Sequence, residues 1–219
     1  MDIRSTIQQF REKVSQKFLK RSDAAMDLVD AMTVAGHVES PVALSEETPF
    51  RRKFSMVYDV LENGDIDAAE LGKVWYEAQP AACETLAGYE AYAVDTTFNE
   101  RPDAETLPSR EWLKKDRGTP AVPGWKFSWL VRLVQHGTSW VAPQDVQQVV
   151  AESTESQTGA EQVKALGKRD QRAKVVTADS RYFNRIFLGV FVTLKHLIAL
   201  VRMRHNAALY EAPLPKPPK

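Results

Sequence analysis

Residues 91–97 read AYAVDTT, an apolar and β-branched run that leads into the acidic residue Asp95. Such a run predicts a short buried strand that ends on a carboxylate. Residues 174–179 read KVVTAD and bring Asp179 to the same kind of position. Because a strand end lies at the rim of a sheet, we expect the two carboxylates to meet at one edge. Two converging carboxylates are candidate ligands of a divalent cation.

The segments around these two strands predict a mixed α/β sheet. From residue 89 the apolar patterns and turn residues give the order β-β-β-α-β-α-β. An antiparallel start followed by α-β crossovers is the arrangement of the ribonuclease H fold, in which the first and fourth strands lie side by side, although several other mixed-sheet folds share the order. We expect strands at 89–97, 126–134, 138–141, 174–179 and 197–201, the last fully buried, and helices at 159–169 and 183–194.

The segments that link these elements carry less pattern. Residues 99–124 are rich in proline and glycine and predict a long exposed loop. His136 and Gly137 predict a tight turn, and Pro143 predicts the start of a short helical piece. Residues 153–158 are polar and are expected to form a linker.

The first 80 residues show helical periodicity and predict a helical bundle. Amphipathic helices are expected over residues 1–20 and from Ser22 to Gly36. Pro49 begins a third helix, because proline is favoured at the first helical position. Asp67 caps a fourth helix. The third and fourth helices are expected to form a helical hairpin.

Composition excludes several classes of protein. The 219 residues contain no apolar run of about 18 residues, so no membrane span is expected. The N-terminus lacks the apolar core of a signal peptide. The single cysteine, Cys83, excludes an intramolecular disulfide and suits a reducing cytoplasm.

The formal net charge is zero, but the charge is unevenly distributed along the chain. Residues 1–21 carry six basic and two acidic side chains, residues 164–219 carry twelve and three, and the middle of the chain is acidic. Either basic end could follow a phosphate backbone. Alternatively, the basic and acidic segments neutralise each other within the fold.

Five blocks of the sequence carry a family resemblance. In chain order they read YAVDTT with RPDAETLPSR, WKFSWL, SWVAP, ADSRY, and VRMRHN with LY, at residues 92–110, 125–130, 139–143, 178–182 and 201–210. Together they resemble the bacterial insertion-sequence DDE transposases, most closely the subgroup in which a β-rich segment precedes the helix with the last catalytic acid. The resemblance covers most of residues 45–219.

The resemblance implies metal-dependent cutting and joining of double-stranded DNA at the ends of a mobile element, usually by a homodimer. The implied cofactor is Mg²⁺ or Mn²⁺, with Asp95 bridging two cations and Asp179 holding one of them. Asp95 could instead cap a loop, and Asp179 could cap the helix that begins near Ser180.

Two arginines are candidate DNA contacts. Arg202 and Arg204 alternate at the end of the fifth strand and could hold phosphates near the site, or they could form a solvated strand end. Trp129, with its neighbours Trp125 and Trp140, is expected to pack on the sheet in preference to stacking on a base.

On this interpretation the chain has three parts. Residues 1–85 form a helical domain with a predicted role in DNA binding, although its basic surface could also belong to a plain bundle. Residues 86–211 form a truncated ribonuclease H-like catalytic domain. Residues 212–219 form a proline-rich tail that can be neither helix nor central strand.

The chain departs from the family at the third catalytic acid. The family requires a glutamate on a helix beyond the fifth strand, and the one acidic residue after Asp179 is Glu211. Glu211 precedes the proline-rich tail, so we do not expect it on a helix. We therefore expect a shortened transposase that is inactive as this chain. The alternatives are a catalytically silent DNA-binding remnant that regulates transposition, and an unrelated α/β interaction module.

Overall fold

The computed structural model describes residues 2–38, 40–79, 87–103, 106, 108–114, 118, 120–136, 139–203 and 206–207. The chain separates into two compact units, Met1–Pro80 and Ala81–Lys219. No helix within the described ranges is both long and apolar enough to cross a membrane. Cys83, Gly137, Arg204 and Glu211, which the sequence singled out, lie outside the described residues, as does the proline-rich tail.

The first unit consists of helices and one small two-stranded sheet. Its helix bounds differ from the predicted ones, since the first helix ends at Ser15 and the helix predicted to begin at Pro49 begins at Ser55. Arg21 adopts a left-handed conformation, with a φ of 57°, and separates the first strand from the second helix. The elements are α1 (Ile3–Ser15), β1 (Phe18–Lys20), α2 (Ser22–Val34), α3 (Pro41–Leu44), α4 (Ser55–Asn63), β2 (Asp65–Ile66) and α5 (Ala68–Glu77).

The helices of this unit pack around two apolar clusters that share α2. One cluster joins α2, α3 and α4 around Ala31 and Val57, and the other joins α1, α2 and α5 around Val14 and Val74. The predicted hairpin of the third and fourth helices is therefore wrong, because β2 separates α4 from α5 and pairs antiparallel with β1. The predicted cap is confirmed: Asp67 Oδ1 accepts a hydrogen bond from the Glu70 backbone N–H.

Much of the basic charge at the N-terminal end of the sequence is neutralised inside this unit. Arg11, Lys13, Lys17 and Arg21 are four of the six basic residues before residue 22, and each forms an ion pair with an acid from α2, α4 or α5. These pairs favour the second of the two interpretations of the basic N-terminal end.

The second unit is a mixed sheet whose strand order is that of the ribonuclease H fold, and the predicted fold class is confirmed. Strands β4 and β6 both pair with the same edge of β5, β4 with residues 122–124 and β6 with residues 126–136. From β5 the strand order is β5-β3-β7-β8. β3 is antiparallel to β5 and parallel to β7, and β7 is parallel to β8. The strands are β3 (Glu90–Glu100), β4 (Glu111–Leu113), β5 (Val122–His136), β6 (Ser139–Val149), β7 (Lys174–Ala178) and β8 (Leu197–Val201).

The hairpin of β5 and β6 is longer than predicted, and the helical piece expected at Pro143 is wrong. Pro143 lies within β6 and pairs with Val131 of β5. Proline is tolerated there because β5 is the partner of β6 among the described strands, so the missing N–H interrupts no second ladder in that part of the chain. The exposed loop expected over 99–124 is also partly wrong, since β3 extends to Glu100, β4 lies inside the segment and β5 begins at Val122.

Helix α6 (Glu155–Arg169) crosses one face of the sheet and carries its core. It begins within the predicted polar linker, where Thr154 and Gln157 form a reciprocal capping box. Gly159 allows the close approach, because a Cβ there would lie 2.7 Å from the ring of Tyr182 and 3.0 Å from Val94. The apolar cluster beneath α6 comprises Tyr92, Val94, Leu130, Ala160, Val163, Leu166, Val176, Tyr182, Phe187 and Leu197.

The last helix and strand complete the unit. A short 3₁₀ turn (Ser180–Tyr182) follows β7 and leads into α7 (Arg185–Thr193), which begins at the cap residue Asn184. β8 is an edge strand in the described sheet, with Ile198 and Leu200 exposed. The prediction of a fully buried fifth strand is therefore wrong.

A buried ion-pair network lies where β3 and β7 begin. Glu90 accepts hydrogen bonds from Arg132, Arg172 and the hydroxyl of Tyr92. Lys174, which is fully buried, pairs with Asp170. Buried charges need such partners, because an unpaired charge loses its hydration without compensation. The network therefore fixes the first residues of β3 and β7, the two strands that lead to the predicted site.

Candidate metal centre at the sheet edge

Asp95 and Asp179 lie at equivalent positions of neighbouring parallel strands. The register of β3 and β7 pairs Glu90 with Lys174 and continues to Val94 with Ala178, so the next residue of each strand is an aspartate. Neighbouring strands are about 4.8 Å apart. The structure therefore brings the two sequence-predicted acids together, at the end of β7 from which the 3₁₀ turn departs.

Asp95 is not at the end of its own strand, as the sequence suggested, but in the middle of β3. β7 ends at Ala178, so from Asp95 onward β3 has an open edge on that side while β5 still pairs with the other. The side chain of Asp95 is exposed. Its Oδ1 accepts a hydrogen bond of 2.8 Å from the Thr96 backbone N–H. The rim exists because β7 is shorter than β3, and Asp95 lies on β3 just past the end of β7.

Asp179 caps the 3₁₀ turn, so the alternative role considered for it is realised in the fold. Its Oδ1 accepts a hydrogen bond of 2.8 Å from the Arg181 backbone N–H. The side chain is nevertheless 45% exposed. A cap consumes one carboxylate oxygen and leaves Oδ2 directed to its surroundings, so capping and ligand binding are compatible.

Arg181 is the cation that forms an ion pair with Asp179 among the residues that the structure describes. Its Nη1 lies 3.3 Å from Glu155 Oε2, its Nε lies 3.8 Å from Asp179 Oδ2, and its guanidinium carbon lies 5.5 Å from the ring centre of Phe98. Burial lowers the pKa of Arg181, but the hydrogen bond to Glu155 and the charges of Glu155, Asp179 and Asp95 outweigh it and raise the pKa overall. Three carboxylates therefore act on one guanidinium.

Tyr182 supports the site from the buried face of the sheet. Its ring is fully buried against Phe187, and its hydroxyl lies 2.9 Å from Thr96 Oγ1, next to Asp95 in β3. Burial raises the pKa of Tyr182, the hydrogen bonds with Thr96 and Ser128 oppose this, and the negative charge of Asp95 adds to the increase. This contact links the 3₁₀ turn after Asp179 to the strand that carries Asp95.

Arg202 continues the row of residues at this rim. Ala178 pairs with Val201 of β8, so Arg202 follows β8 as Asp179 follows β7. Its backbone N–H donates a hydrogen bond of 3.2 Å to the carbonyl oxygen of Ala178, and its side chain is exposed. The structure therefore places Arg202 beside Asp179 in the row and two strands from Asp95, whereas Arg204 is outside the described residues.

The two carboxylates are suitable ligands for a hard cation, but they supply only part of a coordination shell. Mg²⁺ takes oxygen ligands and is commonly held by one or two carboxylates with water and substrate phosphates. Asp95 and Asp179 supply two exposed carboxylates. Within the ranges that the structure describes, no group of three His, Cys, Asp or Glu side chains is arranged to hold a metal ion.

Sequence reasoning did not identify Arg181 or Glu155 as part of this site. Glu155 had been assigned to a linker, although the Thr154-to-Gln157 spacing is the signal of a helix start. Trp129 was expected to pack on the sheet; it pairs with Asp95 across the β3–β5 ladder, and its Nε1 donates to Thr97 Oγ1. Its ring remains 37% exposed, so packing accounts for part of its surface.

Comparison with known proteins identifies the family. The sequence profile described as DDE superfamily endonuclease matches residues 13–219. A search of curated proteins finds no match. Among the solved structures that match is a cryo-EM structure of the piggyBac transposase synaptic complex with hairpin DNA, at 12% sequence identity and a TM-score of 0.46. The match covers 93% of this chain and 48% of that one, so this chain spans about half the transposase's length. Because the profile covers nearly the whole sequence, the chain belongs to the DDE superfamily endonucleases.

Proposed function

We propose that this chain carries the first two acids of a metal-dependent DNA transposase, which cuts and joins phosphodiester bonds at the ends of an insertion sequence. The observation that carries the proposal is the β3–β7 register, which makes Asp95 and Asp179 neighbours on one exposed rim. Family membership supports a nuclease-type function. Mg²⁺ or Mn²⁺ is the proposed cofactor, held by these two carboxylates.

A bound divalent cation would supply charge stabilisation at the phosphoryl oxygens and a more acidic bound water. The chain's own residues would fix where that happens. Thr96 N–H orients the carboxylate of Asp95, and the N–H of Arg181 orients that of Asp179. Hydrogen bonds of this kind preorganise a site before substrate arrives, because the carboxylates need no further ordering.

DNA would approach the rim from its exposed side. Arg202 is available to hold a phosphate there, since its side chain is exposed beside Asp179. Trp129 offers an exposed aromatic surface in the same row as Asp95. A role in DNA-end binding for residues 1–85 receives less support, because four of their basic side chains already have acidic partners. Assembly as a homodimer rests on the family resemblance.

We further propose that the 219-residue chain cleaves DNA poorly by itself. The two predicted carboxylates lie at the rim, and no third acid of the described residues is arranged with them to hold a metal ion, whereas the resemblance implies three ligands. Arg181 already lies against one of the two. The second candidate function follows from the same observation: a silent DNA-binding protein that occupies element ends. It differs from the first in retaining DNA binding while never gaining cleavage.

The experiment combines binding and cleavage on one substrate. A labelled duplex that carries the ends of the parent element is titrated with the chain across a salt series, then incubated with Mg²⁺ or Mn²⁺. We expect salt-dependent binding, with a preference for element ends over a scrambled duplex, and little cleavage. Binding that does not depend on salt would contradict both DNA functions. Efficient cleavage would contradict the proposed inactivity and support the transposase alone.

A further inference from the structure

Arg181 is held by hydrogen bonds at its main chain, whereas its side chain is partly exposed. Its backbone N–H donates a hydrogen bond to Oδ1 of the cap residue Asp179, and its carbonyl oxygen accepts hydrogen bonds from Ser156 Oγ and Asn184 Nδ2. The guanidinium, by contrast, is held by charge and by the face of Phe98, and the side chain is 46% exposed. The main chain can therefore stay in place while the guanidinium turns away.

The guanidinium lies where its positive charge offsets the negative charge of Asp179 and Glu155. It lies 3.8 Å from Asp179 Oδ2, the oxygen that the cap leaves open, and 3.3 Å from Glu155 Oε2. A divalent ion held by Asp179 would meet the positive charge of Arg181 at short range. Because the interaction between charges scales with their product, the repulsion between a dication and an arginine is twice that between two single charges.

We propose that Arg181 is the internal counter-cation of the Asp95–Asp179 pair, which competes with the divalent ion for Asp179 and so sets the metal affinity of the site. The proposal rests on the proposed function in one respect, that this pair is the metal site. In the metal-free chain Arg181 balances the acids. When the ion binds, the guanidinium withdraws toward Glu155 and Phe98, its other two partners.

Glu155 and Phe98 would still contact the arginine side chain after it leaves Asp179. Glu155 is the first residue of α6, and its Oε2 lies 3.3 Å from Arg181 Nη1. An aromatic face stabilises a guanidinium above it. Arg181 is thus a positioning residue whose two states differ in whether its guanidinium contacts Asp179 in addition to Glu155.

The test measures Mn²⁺ affinity by calorimetry on the 219-residue chain at low ionic strength. Arg181→Gln removes the charge and should tighten Mn²⁺ binding by about three- to tenfold, since exposed charge pairs interact modestly in water. Arg181→Lys keeps the charge and should stay within about twofold of the wild type. Raising the salt concentration should shrink the difference between Arg181→Gln and the wild type, because salt screens exposed charges.

Lys168→Gln is the matched control. Lys168 is an exposed cation in the last turn of α6, at the opposite end of the helix from Glu155, so its loss changes the net charge equally. We expect it to leave Mn²⁺ affinity within about twofold of the wild type. Arg181→Met, which keeps an aliphatic stem over Phe98, repeats the test if the glutamine variant does not fold.

The outcomes separate this inference from the proposed function. If Arg181→Gln binds Mn²⁺ no more tightly than Lys168→Gln, the competition is contradicted while the metal site stands. If the wild type and all Arg181 variants bind Mn²⁺ equally well after Asp95→Asn, the ion is bound elsewhere and the proposed function fails first. If the wild type binds too weakly to measure and Arg181→Gln gains binding, the competition is supported.

Discussion

Asp95 and Asp179 are 84 positions apart in the sequence and adjacent in the sheet, because the parallel register of β3 and β7 ends one residue before each of them. The relationship depends on two strand lengths. β7 stops at Ala178, whereas β3 continues to Glu100, so the edge of β3 opens where its aspartate lies. A rim made in this way exposes both carboxylates while their strands remain buried.

Arg202 should contribute to DNA affinity through a phosphate and not through a base. We expect Arg202→Ala to weaken duplex binding similarly for element-end and scrambled DNA, and to reduce the slope of log K against log salt by about 0.9. Anisotropy titrations across a salt series measure both quantities. Lys195→Ala is the control, because Lys195 is an exposed cation just before β8, at the end of the strand remote from Arg202. An unchanged slope in Arg202→Ala would remove Arg202 from the interface.

Glu90 should be essential for the stability of the second unit. Its carboxylate is the shared partner of Arg132, whose side chain is 7% exposed, and of Arg172. Glu90→Ala leaves a buried guanidinium without its carboxylate and should lower the free energy of unfolding by about 3–5 kcal/mol. Denaturant titration measures it. Glu161→Ala, at an exposed position of α6, should change stability by less than about 0.5 kcal/mol; equal effects would contradict the importance of the network.

Gly159 and Gly189 form a matched pair of helical glycines. Alanine at 159 would approach Tyr182 to 2.7 Å and should lower the free energy of unfolding by about 1–3 kcal/mol, because the buried ring must shift. Alanine at 189 meets nothing within 4 Å and should stabilise α7 by up to about 1 kcal/mol through helix propensity. Thermal and denaturant unfolding of the two variants gives the comparison. Stabilisation of both would show that α6 does not need its close approach to β3.

Tyr182 should make stability depend on pH in alkaline solution. Its protonated form is neutral, and burial raises its pKa in the folded chain, so the folded state retains the proton when the unfolded state loses it. This contribution is complete below the unfolded pKa of about 10 and is lost as the pH rises through the raised pKa. Tyr182→Phe should cost about 1 kcal/mol at pH 8 through the lost Thr96 hydrogen bond, and less at pH 11. A cost that is constant with pH would contradict the raised pKa.

The strands that carry the acids could be predicted because their signal is local. The apolar and β-branched runs that precede Asp95 and Asp179 favour strands, and the α-β crossover that leads into the second run favours parallel neighbours. The exposed side of β8 could not be predicted. Ile198 and Leu200 are apolar, and an apolar run does not reveal whether a strand is central or at an edge.

The remaining differences have physical causes that depend on tertiary structure. Proline usually interrupts a strand, but β6 tolerates Pro143 because the described sheet has no second ladder that needs a donor at that position. Arg181 lies at the site because of the 3₁₀ turn and its contact with Glu155, which is 26 positions away in the sequence. No sequence spacing predicts that contact. The spacing of Thr154 and Gln157 does predict the start of α6, but the polar composition of the segment favours a linker instead.

The most direct test of the central claim is the binding of Mn²⁺ to the wild-type chain and to its single aspartate variants. If Asp95 and Asp179 share a cation, Asp95→Asn and Asp179→Asn should each weaken binding at least tenfold, and the double variant should lose little more, because both act on one ion. Glu62→Gln, an exposed acid of α4 in the other unit, should leave the affinity unchanged. Affinities that stay the same in both aspartate variants, or that fall independently as for two separate ions, would contradict a shared site.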